Sequence, residues 1–335
     1  MLLAGDIGGT KTFLTLFAEE GAALRPIKEA SFVNSGFSGP EEIIGEFLEK
    51  GEAVSAASFG IACPIDGNRC ALTNLPWVVD GQELAGKFRI KRLSLINDLY
   101  AMAWGVGLLK DEDIFPLQTG VPKKGNAALV AAGTGLGEAI LFWDGKARTP
   151  SPSEGGHTDF APRNRLEMEL FGYLAGLYGH VSYERILSGP GIADLYRFFR
   201  SRNGPEPERL RERFEKEDAA AVVTDEALKG KDKACKEALQ LFISIYGAEA
   251  GNMALKSLAL GGVYIGGGIA PRILKAMAEG PFIGSFRSKG RFEKLLSEVP
   301  VKVILNEKTG LLGAAVCAAN LLPGRGRKRV TEILA

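Results

Sequence analysis

Two stretches of the chain repeat one pattern: an apolar run, a turn of glycines, and a second apolar run. The first spans residues 2–18 around Asp6-Ile7-Gly8-Gly9-Thr10-Lys11. The second spans residues 127–143 around Gly133-Thr134-Gly135-Leu136-Gly137. A glycine turn between apolar strands reads as a hairpin. Such a turn also bares backbone N–H groups that can wrap phosphate oxygens. Two copies of one phosphate-cradling unit suit a two-lobed protein that closes on a ligand. Glycine supplies 43 of 335 residues, near twice its usual share. A third cluster, Gly266-Gly267-Gly268, lies between a strand and a helix. It suits either a flat purine or ribose, or close strand–helix packing.

Apolar runs at 53–61, 93–96, 127–132, 139–143, 263–265 and 301–305 read as further strands. Helical spacing marks 41–50, 99–109, 165–177, 191–200, 271–278 and 310–322. Leu239, Phe242, Ile243 and Tyr246 fall on one helical face. Strands alternating with helices define an α/β chain. Its length suggests about two domains. The charge-dense stretch 201–233 reads as a solvated surface excursion.

Lys and Arg total 41 and Asp and Glu total 40, a net charge of +1. That balance supplies no whole-molecule field for nucleic acid or an acidic membrane. Cys63, Cys70, Cys235 and Cys317 form no Cys-x-x-Cys pair and have no His at zinc-ligand spacing. They read as free thiols in a reducing cytoplasm. The opening residues lack a basic segment, and the charge-free run 309–324 is too short for a bilayer. A cytoplasmic protein is the expectation.

The familiar nucleotide motifs are missing. Lys11-Thr12 follows Thr10 rather than Gly, and Glu138 occupies the third-glycine position after Gly133 and Gly135. P-loop and dinucleotide-binding readings therefore fail. No Gly-x-Ser-x-Gly elbow supports a serine hydrolase. Asp6 can serve a divalent cation, and Thr10 and Lys11 can serve phosphate. Asp98 ends a strand and precedes a helix, where ligands bind in open parallel sheets. It can take a proton from a hydroxyl, although Asn97-Asp98 also reads as a helix cap. Glu154-Gly155-Gly156-His157 and Glu184 offer carboxylates and an imidazole suited to a polyhydroxyl ligand. Surface exposure, caps or a core histidine are the plainer readings.

These segments occur in a telling order: Asp6 to Lys11, Ile96-Asn97-Asp98, Gly133 to Gly137, Glu154 to Pro162, Glu184 to Gly191, and Gly262 to Pro271. Together they resemble the bacterial glucokinases, within the hexokinase and actin-type ATPase superfamily. The resemblance implies a two-lobed actin-like ATPase (ribonuclease H-like) fold with the active site in a cleft between lobes. It implies a small domain of residues 1–108 completed by 309–335, and a large domain of 109–308. Its activity would be phosphorylation of glucose at the 6-hydroxyl by ATP. Asp98 would be the general base. Asn74, Asn97, Asp98, Glu154, His157 and Glu184 would hold the sugar. Asp6 would hold Mg²⁺ through water. Gly8, Gly9, Thr10, Lys11, Gly133, Thr134 and Gly135 would line the phosphates, with Gly267 and Gly268 beside the adenosine. A homodimer is the family expectation.

Two departures are visible. Lys11 stands where many such kinases carry Asn, a form shared with the related ROK sugar kinases, and the ROK cysteine-rich zinc motif is absent. The rivals are a kinase for another hexose (fructose, mannose or an N-acetylhexosamine), a non-catalytic sugar sensor, and an actin-like filament protein. A sensor needs a DNA-binding module, and the first phosphate motif at Asp6 leaves no space before it. A filament protein leaves Glu154, His157 and Glu184 without a purpose.

Overall fold

In a computed structural model, which describes residues 1–20, 23–48, 52–72 and 75–323, the apolar runs become strands of two separate sheets. The chain divides into two units. The first comprises, of the described residues, those within Met1–Asp113 and Lys146–Pro152 and those from Asn306 to Pro323; the second comprises Ile114–Gly145 and Ser153–Leu305.

The first unit contains β1 (Leu2–Ile7), β2 (Lys11–Glu20), β3 (Ala23–Val33), β4 (Ala56–Ile61), β5 (Arg69–Ala71), β6 (Val78–Asp80) and β7 (Leu93–Asn97). Its main sheet runs β3-β2-β1-β4-β7, and β5 pairs with β6 separately. β1 and β2 form the hairpin expected around Gly8-Gly9. β1, β4 and β7 are parallel, so Ile7, Ile61 and Asn97 share one edge. Both faces of this sheet are covered. Leu3 and Ile7 pack with Ile43, Ile44 and Phe47, whereas Leu2 and Ala4 pack with Leu311 and Ala315. Double-sided burial explains why these strands read as unbroken apolar runs.

The helix Asp98–Gly105 lies against the helix Thr309–Asn320. Their approach depends on missing side chains: a Cβ on Gly313 would strike the Ala101 carbonyl, and one on Gly105 the Thr309 carbonyl. The first of these helices starts one residue earlier than its apolar spacing indicates and passes into a 3₁₀ turn at Val106–Leu108. Asn97 sets the start, its Oδ1 accepting from the N–H groups of Leu99 and Tyr100. The β3 strand was not legible in the sequence, where Pro26 and alternating charges mask its pairing with β2.

The second unit contains β8 (Ile114–Gln118), β9 (Ala127–Ala132) and β10 (Leu136–Trp143). β11 (Arg148–Pro152) falls in the first unit, and β12 (Val263–Gly266) and β13 (Val301–Ile304) return to the second. The order β10-β9-β12-β13-β8 places two parallel pairs at the centre. The helix Lys233–Ser257 crosses this sheet. Its Tyr246 hydroxyl donates to the Val130 and Gly266 carbonyls and accepts from Ala132 N–H.

Three expectations are corrected. Residues 201–233 are not a solvated excursion. They contain the helices Glu208–Phe214 and Ala219–Leu228, whose Leu210, Val222 and Val223 are fully buried. Charges neutralised in pairs, such as Arg213 with Glu217 and Asp225, hid two amphipathic helices. The helix expected at 271–278 is two short ones, Ile269–Arg272 and Leu274–Glu279, broken at Ile273. The cysteines are not all free. Cys63 and Cys70 form a disulfide with a Cα separation of 6.4 Å, joining the end of β4 to β5, while Cys235 and Cys317 remain thiols. Among the described residues no helix is long and apolar enough to cross a membrane.

Candidate active site

In the first unit, the shared edge of β1, β4 and β7 gathers two carboxyl groups. Asp6 is the penultimate residue of β1, and Asp98 follows β7 as the first residue of its helix. Burial and the charge of Asp98 push the Asp6 carboxyl up to about 7. Burial likewise raises the Asp98 pKa, against the backbone N–H of Leu99 and the Asn97 side chain, which favour its ionised form. Leu99 N–H donates to Asp98 Oδ1 at 2.8 Å. Asn97 is therefore both the helix cap and a neighbour of the acid, and its Nδ2 donates to the Cys63 carbonyl at 3.4 Å. Gly310 abuts Asp6, since a Cβ there would come within 3.0 Å of Asp6 Oδ2.

The adjacent loop has a clamp that the sequence did not reveal. Asn34 is buried, accepts from the Thr12 hydroxyl at 2.8 Å and donates through Nδ2 to the Gly8 carbonyl at 2.8 Å. Its N–H donates to the Thr10 carbonyl. Thr10 and Lys11 stay exposed at the tip. A lone Asn among the residues following β3 carries no spacing signal. Asn74 lies outside the described residues.

In the second unit, Glu154, His157 and Glu184 come together. His157 Nδ1 lies 3.7 Å from Glu184 Oε1, and its Nε2 lies 3.9 Å from Glu154 Oε2. His157 and Glu154 are exposed, so neither the core-histidine reading nor a capping role for Glu154 holds. The start of β10 positions all three. Leu136 N–H donates to Glu184 Oε2 at 2.9 Å, and Glu184 N–H donates to the Gly156 carbonyl at 2.8 Å. A Cβ on Gly135 would displace the Glu184 carboxylate, and one on Gly156 would strike the Leu136 carbonyl.

The same unit holds a cavity of about 870 Å³ lined by Gly133, Thr134, Pro190, Ala221, Gly268 and Arg272, among others. That volume suits a nucleotide-sized ligand. The helix Gly189–Asn203, capped by Ser188, begins at its wall. Gly268 is among the residues lining this cavity. The backbone itself requires a glycine at 267: its φ is +82° and a Cβ would strike the Ala132 carbonyl. The lining from Asp218 to Ala221 was missed because it falls in the charge-dense stretch. An Asp followed by an alanine run was the signal available there.

Fit to a metal can be judged from the donors. Among the described residues no three His, Cys, Asp or Glu side chains form a cage. Two neighbouring half-buried carboxyls without further protein ligands among the described residues match Mg²⁺, which keeps waters and takes its remaining ligands from phosphate.

The chain is 43% identical over 340 residues to a glucokinase of a Nostoc species, covering 96% of this chain and 99% of that one. The crystal structure of glucokinase from an Antarctic psychrotroph superposes with a TM-score of 0.82 at 30% identity, covering 95% and 98% of the two chains. A ROK family glucokinase from Streptomyces griseus, solved with glucose and AMPPNP, shares the fold at a TM-score of 0.62 and 19% identity, covering 95% and 99%. The fold is thus the actin-like ATPase fold of these sugar kinases. The glucokinase family model matches residues 3–321, and the chain belongs to the glucokinase family.

Proposed function

We propose that Asp98 is the general base of an ATP-dependent glucose 6-kinase. The carrying observation is its position: a half-buried carboxyl, with its pKa raised, at the carboxyl end of a parallel strand. A raised pKa brings a carboxylate closer to the basicity needed to take a proton from an alcohol. Asp98 accepts the proton of the sugar 6-hydroxyl, and Asn97 orients the sugar beside it. Glu154, His157 and Glu184 hold the remaining hydroxyls, whose lone pairs and protons all need partners once shielded from water. Asn74 is proposed to join them.

ATP is held at the turns of Gly8, Gly9, Gly133 and Gly135, where the Gly8 and Gly133 N–H groups close the turns on the Lys11 and Gly135 carbonyls, with Thr10, Lys11 and Thr134 on the phosphates and Gly267 and Gly268 beside the adenosine. Asp6 would hold Mg²⁺ through water, and the ion would supply charge neutralisation on the phosphates. The protein's contribution is positioning and electrostatics, since phosphoryl transfer needs little covalent help. We further propose that the two units correspond to the small and large domains of the family, that the enzyme is a cytoplasmic homodimer, and that it binds neither nucleic acid nor membrane.

The test is ADP release measured by a coupled assay with and without glucose. Glucose-dependent ADP formation that stops on chelation of divalent cation is expected. Preference for fructose, mannose or an N-acetylhexosamine at equal concentration would replace the glucose assignment.

A further inference from the structure

Beneath the loop that carries Glu154 and His157 lies an enclosed pair of acids. Glu138, on β10, is fully buried. Its backbone carbonyl accepts from the Ser153 hydroxyl at 2.8 Å. A Cβ on Gly155 would collide with its carboxyl, so the loop rests directly on that group. Among the described residues no N–H or O–H donor reaches either Glu138 oxygen. The polar group within its reach is the carboxyl of Glu249, from the helix Lys233–Ser257 and also fully buried. Glu249 has other partners. It accepts from Asn252 Nδ2 at 2.7 Å and Lys256 Nζ at 3.2 Å, and it meets the Tyr183 hydroxyl.

Two facing carboxylates offer only acceptors, so they hydrogen-bond only when one carries a proton. We infer that Glu138 is a positioning residue for the sugar: it keeps one proton, donates it to Glu249, and in that neutral form supports the 153–157 turn. This rests on the assignment of Glu154, His157 and Glu184 to glucose. The proton belongs to Glu138 because the Lys256 ammonium and the Asn252 amide both address Glu249. Burial first, and the Glu249 charge second, hold the Glu138 pKa well above the ordinary carboxylate range, with Lys256 opposing.

The other groups facing the pair are Tyr183, Tyr246 and Lys289. Burial raises both phenols. Burial lowers Lys289, which donates to Asn252 Oδ1 and feels Arg163, Lys256, Glu167 and Glu249. Loss of the Glu138 proton to solvent at alkaline pH leaves two charges in contact under the loop, and the sugar anchors shift.

The test follows glucose KM and kcat at saturating MgATP from about pH 6 to about pH 9.5, in the whole enzyme. KM is expected to rise about fivefold or more between about pH 7.5 and about pH 9.5, above the range in which Asp6 titrates, while kcat changes less than about twofold there. Glu138→Gln, whose amide donates to Glu249 at every pH, is expected to lack that rise. It should also restore the neutral-pH KM that Glu138→Ala loses. Thermal unfolding gives an independent reading should the alanine variant not fold. A carboxyl whose pKa is raised by folding stabilises fully at acid pH, and that stability is lost as pH climbs toward the folded value. The Tm gap between Glu138→Gln and the parent protein should therefore widen with pH. The same alkaline rise in Glu138→Gln, or a constant Tm gap, overturns the proposal. If Glu154→Gln and His157→Ala leave glucose KM unchanged, the sugar assignment itself fails. If they raise it while the parent KM stays flat with pH, only the role of Glu138 fails.

Discussion

The two glycine turns look alike in sequence and are built differently. In the first unit a buried side chain, Asn34, ties the Gly8 turn from below, and the acids beside it, Asp6 and Asp98, are withdrawn from water. In the second unit backbone contacts and one half-exposed carboxylate, Glu184, hold the Gly135 turn, and the nearby Glu154 and His157 stand in solvent. Buried carboxyls have their proton affinity reset by their surroundings, whereas exposed ones keep hydrogen-bonding capacity for an incoming ligand. The first unit is therefore assigned the chemistry and the second the recognition of the sugar. Substitution of the Asp98 carboxyl in the first should appear in kcat, and substitutions of Glu154, His157 and Glu184 in the second in the glucose KM.

The largest effect is expected at Asp98. Asp98→Asn should lower kcat by about 10²–10⁴, the range of general-base catalysis. A loss confined to KM would erase the division between the units. His157→Ala and Glu184→Gln come next. Glu184→Gln removes a charge-assisted contact worth about 1.5–3 kcal/mol, so glucose KM should rise roughly tenfold to a hundredfold, and His157→Ala removes a hydrogen bond worth about 0.5–1.5 kcal/mol, a rise of roughly twofold to tenfold, with kcat much less affected in both. Steady-state rates in glucose check this, and an equal fall in kcat would count against it. Gly135→Ala probes the same anchor through the backbone. The new methyl displaces the Glu184 carboxylate, and a glucose KM increase of about fivefold is expected. The smallest effect should be at Asn34. Asn34→Ala leaves buried partners unpaired at a cost of about 1–3 kcal/mol, read as a lower denaturation midpoint and a modestly raised KM for ATP rather than for glucose.

What could be read in advance follows the same division. Contiguous segments such as Glu154-Gly155-Gly156-His157 were legible, because neighbours in sequence stay neighbours in space. The parallel strands were legible as apolar runs. Asn34, Glu138 and the Cys63–Cys70 pair were not, because each acts on a partner that only the fold brings near: Gly8 and Thr12, Glu249, and the join of β4 to β5. The helix Ala219–Leu228 was hidden for a different reason. Its flanking charges neutralise one another on the surface, so local composition overstated its exposure.

The assignment of chemistry to the first unit is tested most directly by calorimetric titration of glucose into Asp98→Asn, beside its turnover. A glucose affinity within about threefold of the parent enzyme, with turnover lost, is the result expected of a base that acts on an already bound sugar. Near-normal turnover, or a glucose affinity that collapses along with the rate, would contradict it.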